Sequence, residues 1–244
     1  MKTTIKQRLL TALLLMSLYT GLAQAWTFTT SGLITSGYDT TGVFGTANQD
    51  LTGLAYTQSL TLDPALYDTQ YTGAYMQGGY FSSSLAVTGT ATDTVTVNGQ
   101  THSYILDLTQ SFSTPLYDGA YLFNALTQGF GSYDEAYQYH SGVTTDGQYI
   151  ISEGEVWSTI NTLNIGLSYT QIWSYSLQPG DGGYAYFGIG SLKEDAGFHG
   201  APSFISINAA TAVPEPTGLL LLALGLIGLA IIHRKSSLKA KTSA

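Results

Sequence analysis

His102, His140 and His199 are the side chains of residues 26–212 best suited to proton transfer near neutral pH, and Ser and Asp are plentiful around them. A serine hydrolase needs a positioned nucleophile with its base in reach, often announced by a Gly-x-Ser-x-Gly elbow. No such elbow occurs. His102 follows an Asn-Gly pair among polar neighbours and reads as a solvent-facing strand residue, while His199, in Gly197-Phe198-His199-Gly200, reads as a loop residue. Asp134-Glu135 with His140 is the one compact group with metal-ligand character, and no D-x-D-x-D-G calcium loop is present. Glu153 and Glu155 alternate, so a strand would place both on one face, where a glycosidase would need two carboxylates at a set separation. Their plainer reading is a pair of solvated acids on an outer face, opposite Ile151 and Val156. An aspartic protease would need a second copy of an Asp-bearing turn such as Asp39-Thr40-Thr41-Gly42, and there is none.

Aromatic residues offer a different chemistry. Trp26, Trp157, Trp173 and the many tyrosines could stack on sugar rings while acids and amides hold the hydroxyls; alternatively they fill a core poor in Leu. The two outcomes are separable. A row of exposed aromatics along one sheet favours binding, and a cleft holding a His and two carboxylates favours catalysis.

The elements that must position these residues read as strands. Val95-Thr96-Val97, Asn98-Gly99, then Gln100 to Leu106 predicts a tight hairpin with a type I′ turn, because Asn-Gly tolerates positive φ at both central positions. Further strands are expected at 27–35, 54–62, 81–87, 149–160, 165–177, 184–192 and 203–208, with Pro179-Gly180-Asp181-Gly182-Gly183 and Asp146-Gly147 as turns. In the loop 35–45, Gly and Asp form turns and Phe44 tucks inward. About nine short strands without a sustained 3.6-residue period predict an all-β, antiparallel β-sandwich of the jelly-roll kind, with a Greek-key barrel as the alternative.

Charge divides the 244 residues into three segments. Seven of the eight basic residues lie at the ends, and between them Lys193 alone faces fifteen acids, so the middle carries about -14. Nucleic acid is excluded as a partner, since phosphate contacts need clustered Lys and Arg. With no Cys there is no disulfide, no thiolate metal site and no cysteine nucleophile. The acids lack intrachain cationic partners, and weak calcium binding would relieve their repulsion; no other cofactor is expected.

The ends read as routing signals. Lys2, Lys6 and Arg8 precede the apolar stretch 9–22, and Ala23-Gln24-Ala25 supplies a small-x-small cleavage pattern, giving a signal peptide over 1–25 recognised by the Sec machinery. At the other end Val213-Pro214-Glu215-Pro216 precedes the uncharged run 218–232 and then His233-Arg234-Lys235. A helix of that run covers only about 22 Å at 1.5 Å per residue, against about 30 Å of bilayer core. The basic cluster predicts a cytoplasmic tail, and the two prolines hold the junction extended beside the membrane, where a membrane protease can reach it.

This order of Pro-Glu-Pro, apolar run and basic residues at the C-terminus resembles the PEP-CTERM sorting signal of Gram-negative bacteria, with Val213, Pro214, Glu215 and Pro216 as the sorting motif. The resemblance covers only the C-terminal segment. It implies export, a transient inner-membrane anchor, cutting by an exosortase and an association with extracellular polysaccharide or biofilm. The expected organisation is a signal peptide 1–25 with a signal helix, a β-sandwich ectodomain 26–212, and a sorting and anchor segment 213–244 with a hydrophobic helix. The expected function is a non-enzymatic cell-surface or matrix protein, ahead of a carbohydrate-binding module and then a secreted hydrolase.

Overall fold

The computed structural model describes residues 25–63, 66, 69–82, 91–109, 120–130, 133–168, 171–190 and 194–209. The signal segment through Gln24, the sorting motif and the C-terminal apolar run lie outside these residues. Residues 24–211 form one compact unit.

Thirteen strands follow in chain order: β1 (Trp26–Asp39), β2 (Gln49–Asp50), β3 (Ala55–Leu62), β4 (Thr69–Thr72), β5 (Met76–Ser82), β6 (Ala91–Val97), β7 (Gln100–Ile105), β8 (Ala120–Phe130), β9 (Tyr133–Val143), β10 (Tyr149–Ser158), β11 (Trp173–Ser176), β12 (Gly182–Gly190) and β13 (Glu194–Ala209). All pair antiparallel in one ladder of order β4-β5-β8-β9-β10-β12-β13-β1-β3-β6-β7, with β11 added to β13 and β2 to β1. The all-β, antiparallel expectation therefore holds, with the strands joined edge to edge in one continuous sheet. No helix among the described residues is long and apolar enough to cross a membrane.

The sheet winds back on itself. Leu106 bridges Thr144, and Asp107 N–H and Thr145 N–H donate to Val143 O and Ile105 O, tying the end of β7 to the end of β9. Strong alternation of burial along β3, β6, β9 and β10 defines an inner and an outer face, as a half-buried strand requires. Inside, β1 faces β10, and Gly154 makes the approach possible: a Cβ there would stand 2.9 Å from Phe28 Cε1 and 3.1 Å from Thr30 Cγ2.

Two apolar clusters fill the interior. One centres on Phe44, Tyr56, Phe187 and Phe198, the other on Trp26, Phe28, Val156, Ile205 and Ile207. Burial of each large side chain stabilises by about 1.5–3 kcal/mol relative to exposure. Along β1, β9 and β10 a polar layer separates the clusters: Thr30, Gln138, His140 and Ser152 are all fully buried.

The expected turns form as their chemistry requires. Asn98 and Gly99 adopt φ of 49° and 82°, the double positive of a type I′ turn between β6 and β7. Gly147 (φ 86°) and Gly180 (φ 96°) mark the other two turns. The loop after β1 is organised by Asp39, whose fully buried carboxylate accepts the N–H groups of Gly42, Val43 and Phe44 at 2.7–2.9 Å, and Phe44 is buried as expected.

Several expectations change. The stretch 165–177 is strand only over 173–176, and residues 83–90, which hold most of the expected 81–87 strand, lie outside the described residues. His199 sits in β13 rather than in a loop. His102 lies on the inner face of β7 with Tyr104, its ring edge-on to Phe44 at 5.7 Å, because the Asn-Gly turn fixes a register that points Thr101 and Ser103 outward. Strands β2, β4, β8 and β9 add to the expected set.

Candidate functional site

Strand β9 alternates in reverse of the usual sense. Tyr133, Glu135, Tyr137 and Tyr139 point outward and stay partly exposed, while Asp134, Gln138 and His140 point into the interior. Strand β10 presents Ile151, Glu153, Glu155 and Trp157 outward, and β12 presents Tyr184 and Tyr186. Glu153 and Glu155 thus share the expected outer face, but Ile151 shares it too, and the residues behind are Ile150, Ser152, Gly154 and Val156.

Antiparallel register turns these alternations into a row. Tyr80 of β5 is opposite Phe123 of β8, Phe123 opposite Tyr139, Tyr139 opposite Glu153, Glu153 opposite Tyr186, and Tyr186 opposite His199. Six strands spaced by about 4.8 Å give the row a length of about 24 Å. Neighbouring rings reinforce it: Tyr121 lies 6.1 Å from Tyr80 and 5.9 Å from Tyr139, Phe123 lies 5.4 Å from Tyr137, and His199 lies 5.8 Å from Tyr184. The His199 ring also accepts or donates a 2.8 Å hydrogen bond with the Tyr184 hydroxyl. At its β13 end the row opens into a groove of about 490 Å³ lined by Tyr38, Asp50, Thr52, Tyr186 and His199.

Three carboxylates lie within this face. Burial raises the Tyr184 phenol and, more strongly, the Tyr137 phenol, with the Glu153 charge adding to both. Glu155 is pushed up to about 7, first by burial and then by a hydrogen bond with Glu135 and the charges of Glu135 and Glu153. Glu135 and Glu155 stand within hydrogen-bonding reach of one another, a closer arrangement than the about 5–9.5 Å separation that glycosidases use. The pair lines a cleft of about 300 Å³ with Tyr133, Trp157 and Thr159, and no His lines it.

The residues with catalytic chemistry lie instead in the interior. His140 Nδ1 is 2.5 Å from Asp93 Oδ1, and Gln138 Nε2 is 2.9 Å from His140 Nε2. The ring Nδ1 faces the Asp93 carboxylate, and Nε2 is engaged by the Gln138 amide. Ser152 stands directly across from His140 on β10, so serine, histidine and aspartate do meet. All three are fully buried, the amide occupies the ring nitrogen a nucleophile would need, and Ser152 Oγ has no hydrogen-bond partner. These atoms form a polar interior without contact to solvent.

The Asp134-Glu135-His140 group does not assemble. Asp134 accepts the N–H groups of Gly129 and Leu163, Glu135 points outward, and His140 pairs with Asp93. No group of three potential metal ligands occurs among the described residues. The tyrosine row and the Asp93–His140 pair were both missed by sequence reasoning; the outward signal available was Tyr133-x-Glu135-x-Tyr137-x-Tyr139.

Comparison with known proteins gives one finding. The family model of the PEP-CTERM protein-sorting motif matches residues 212–235, a span that contains Val213, Pro214, Glu215 and Pro216. No curated protein and no solved structure matches the chain. The chain therefore carries a PEP-CTERM motif, which marks it for exosortase recognition and for export to the cell surface or extracellular space.

Proposed function

We propose that this exported protein is a non-enzymatic surface or matrix component whose ectodomain binds extracellular polysaccharide through the outer face of β5, β8, β9, β10, β12 and β13. The observation that carries this reading is the register-aligned row of Tyr80, Phe123, Tyr139, Tyr186 and His199 with Glu153 in its midst. Aromatic faces take the apolar faces of sugar rings, and carboxylates and phenols accept or donate to hydroxyls. An elongated platform suits a polymer better than a small molecule, which would need an enclosed pocket. The two facing parts of the wound sheet act as the layers of a sandwich, and this face is the outer one of its layer.

Routing completes the proposal. Sec export and signal cleavage after Ala25 free the ectodomain, the apolar run 218–232 holds it briefly at the inner membrane, and cutting near Pro214-Glu215-Pro216 releases or transfers it. Trp26 pairs with Ala209, so the first and last strands of the domain end side by side. Calcium enters only as a weak counterion for the outer carboxylates. A pull-down of the exported protein on polysaccharide from its own producing cells tests the reading: retention that disappears in a Tyr139→Ala, Tyr186→Ala variant supports it, and absence of retention by the unaltered protein removes it.

A further inference from the structure

We propose that the polymer recognised by this face carries protonated amines, as a glycan of de-N-acetylated amino sugars does. This inference rests on the polysaccharide-binding reading and adds the chemical class of the ligand. Charge is what selects it. Glu135, Glu153 and Glu155 stand on adjacent strands among partly exposed rings, and no Lys or Arg occurs among the described residues to answer them. The Asp50 carboxylate lines the groove at the far end of the row, beside Tyr38 and His199. An anionic polymer such as a uronate would be repelled by these acids, and a neutral polymer would engage them only through hydroxyl hydrogen bonds, without charge complementarity. A polymer with regularly spaced ammonium groups satisfies both components: its charges sit against Glu153 and the Glu135–Glu155 pair, and ring faces of Tyr139 and Tyr186 add cation–π attraction.

The occupied neighbourhood of each acid is compatible with this. Glu153 lies opposite Tyr139 and Tyr186, and Glu155 opposite Tyr137 and Tyr184, so each carboxylate is flanked on both adjoining strands by rings rather than by competing cations. The remaining titratable groups facing the cleft and row are Tyr80, Tyr121, Tyr133, Glu135 and His199.

The test compares glucosamine hexamer with its fully N-acetylated counterpart, on the full exported protein, under mildly acidic conditions in which the free amines are protonated. The expected result is binding of the amine form at least about tenfold tighter than the acetylated form, a preference weakened by salt and by Glu153→Gln or Glu135→Gln. These substitutions keep side-chain shape, and retained thermal unfolding midpoints would confirm that the variants fold. Equal affinity for the two hexamers, with binding to the producer's polysaccharide intact, would overturn the amine assignment and leave the polysaccharide reading standing. Failure to retain any of the three ligands would overturn both.

Discussion

His199 lies 4.9 Å from Tyr186, ring centroid to ring centroid, directly across the β12–β13 ladder, and both line the groove at one end of the aromatic row. Removing either ring alters the outer face without opening the core, since the buried residues of these strands, Phe187 and Phe198, point the other way. Tyr186→Ala and His199→Ala are each expected to weaken polysaccharide binding about tenfold, a loss of about 1.4 kcal/mol, with little change in the unfolding midpoint. Titration calorimetry beside a thermal melt reads both quantities.

The Asp93–His140 pair makes the opposite prediction. Both side chains are fully buried, so Asp93→Ala strands the polar ring of His140, and His140→Ala strands the Asp93 carboxylate. Each substitution is expected to cost about 3–5 kcal/mol in urea unfolding, with the double substitution costing clearly less than the sum. Strict additivity would mean the two groups do not act on one another.

Asp39→Ala removes the acceptor of three backbone N–H groups in a buried loop. A loss of about 3 kcal/mol is expected, with early hydrogen exchange at Gly42, Val43 and Phe44. Unchanged protection of those amides would show that the loop is held by Phe44 packing alone.

The raised Glu155 gives a stability profile with a definite sign. Because folded Glu155 keeps its proton up to about pH 7 while the unfolded chain releases it near the ordinary glutamate value of 4.5, the folded state binds more protons between these values. Stability from this group is therefore fullest below the lower value and falls as pH rises through the window. Glu155→Gln is expected to flatten that fall, measured as midpoint against pH; an equally steep profile in the variant would assign the titration to another group.

Sorting is separable from the ectodomain. Pro214→Ala, Glu215→Ala and Pro216→Ala are each expected to leave uncut protein in the inner membrane, read by mass spectrometry of the C-terminal peptide. Mature protein that retains residues 218–232 would contradict processing.

What the sequence made legible follows from which signals are local. The Asn98-Gly99 hairpin, the Asp146-Gly147 and Pro179–Gly183 turns and the inward Phe44 are set within a few residues, and they stand where expected. Strand β9 was hidden because its polarity is inverted: tyrosines face outward and Gln138 and His140 inward, so it lacks the usual alternation of apolar core and polar surface. The pairing of His140 with Asp93, 47 residues away, depends on sheet winding that no local pattern records. His102 was misplaced for a related reason, since its polar neighbours are exposed but its own face is closed by Phe44. The row itself needs five successive ladder registers to exist, although each of its tyrosines was visible singly.

The most direct measurement of the central claim is equilibrium binding of the exported protein to polysaccharide isolated from its own producing cells, run beside the Tyr139→Ala, Tyr186→Ala variant. Saturable binding by the unaltered protein, reduced at least about tenfold in a variant with an unchanged melting midpoint, is the expected result. Equal binding by the two proteins, or none by either, would contradict the assignment of this face as the ligand platform.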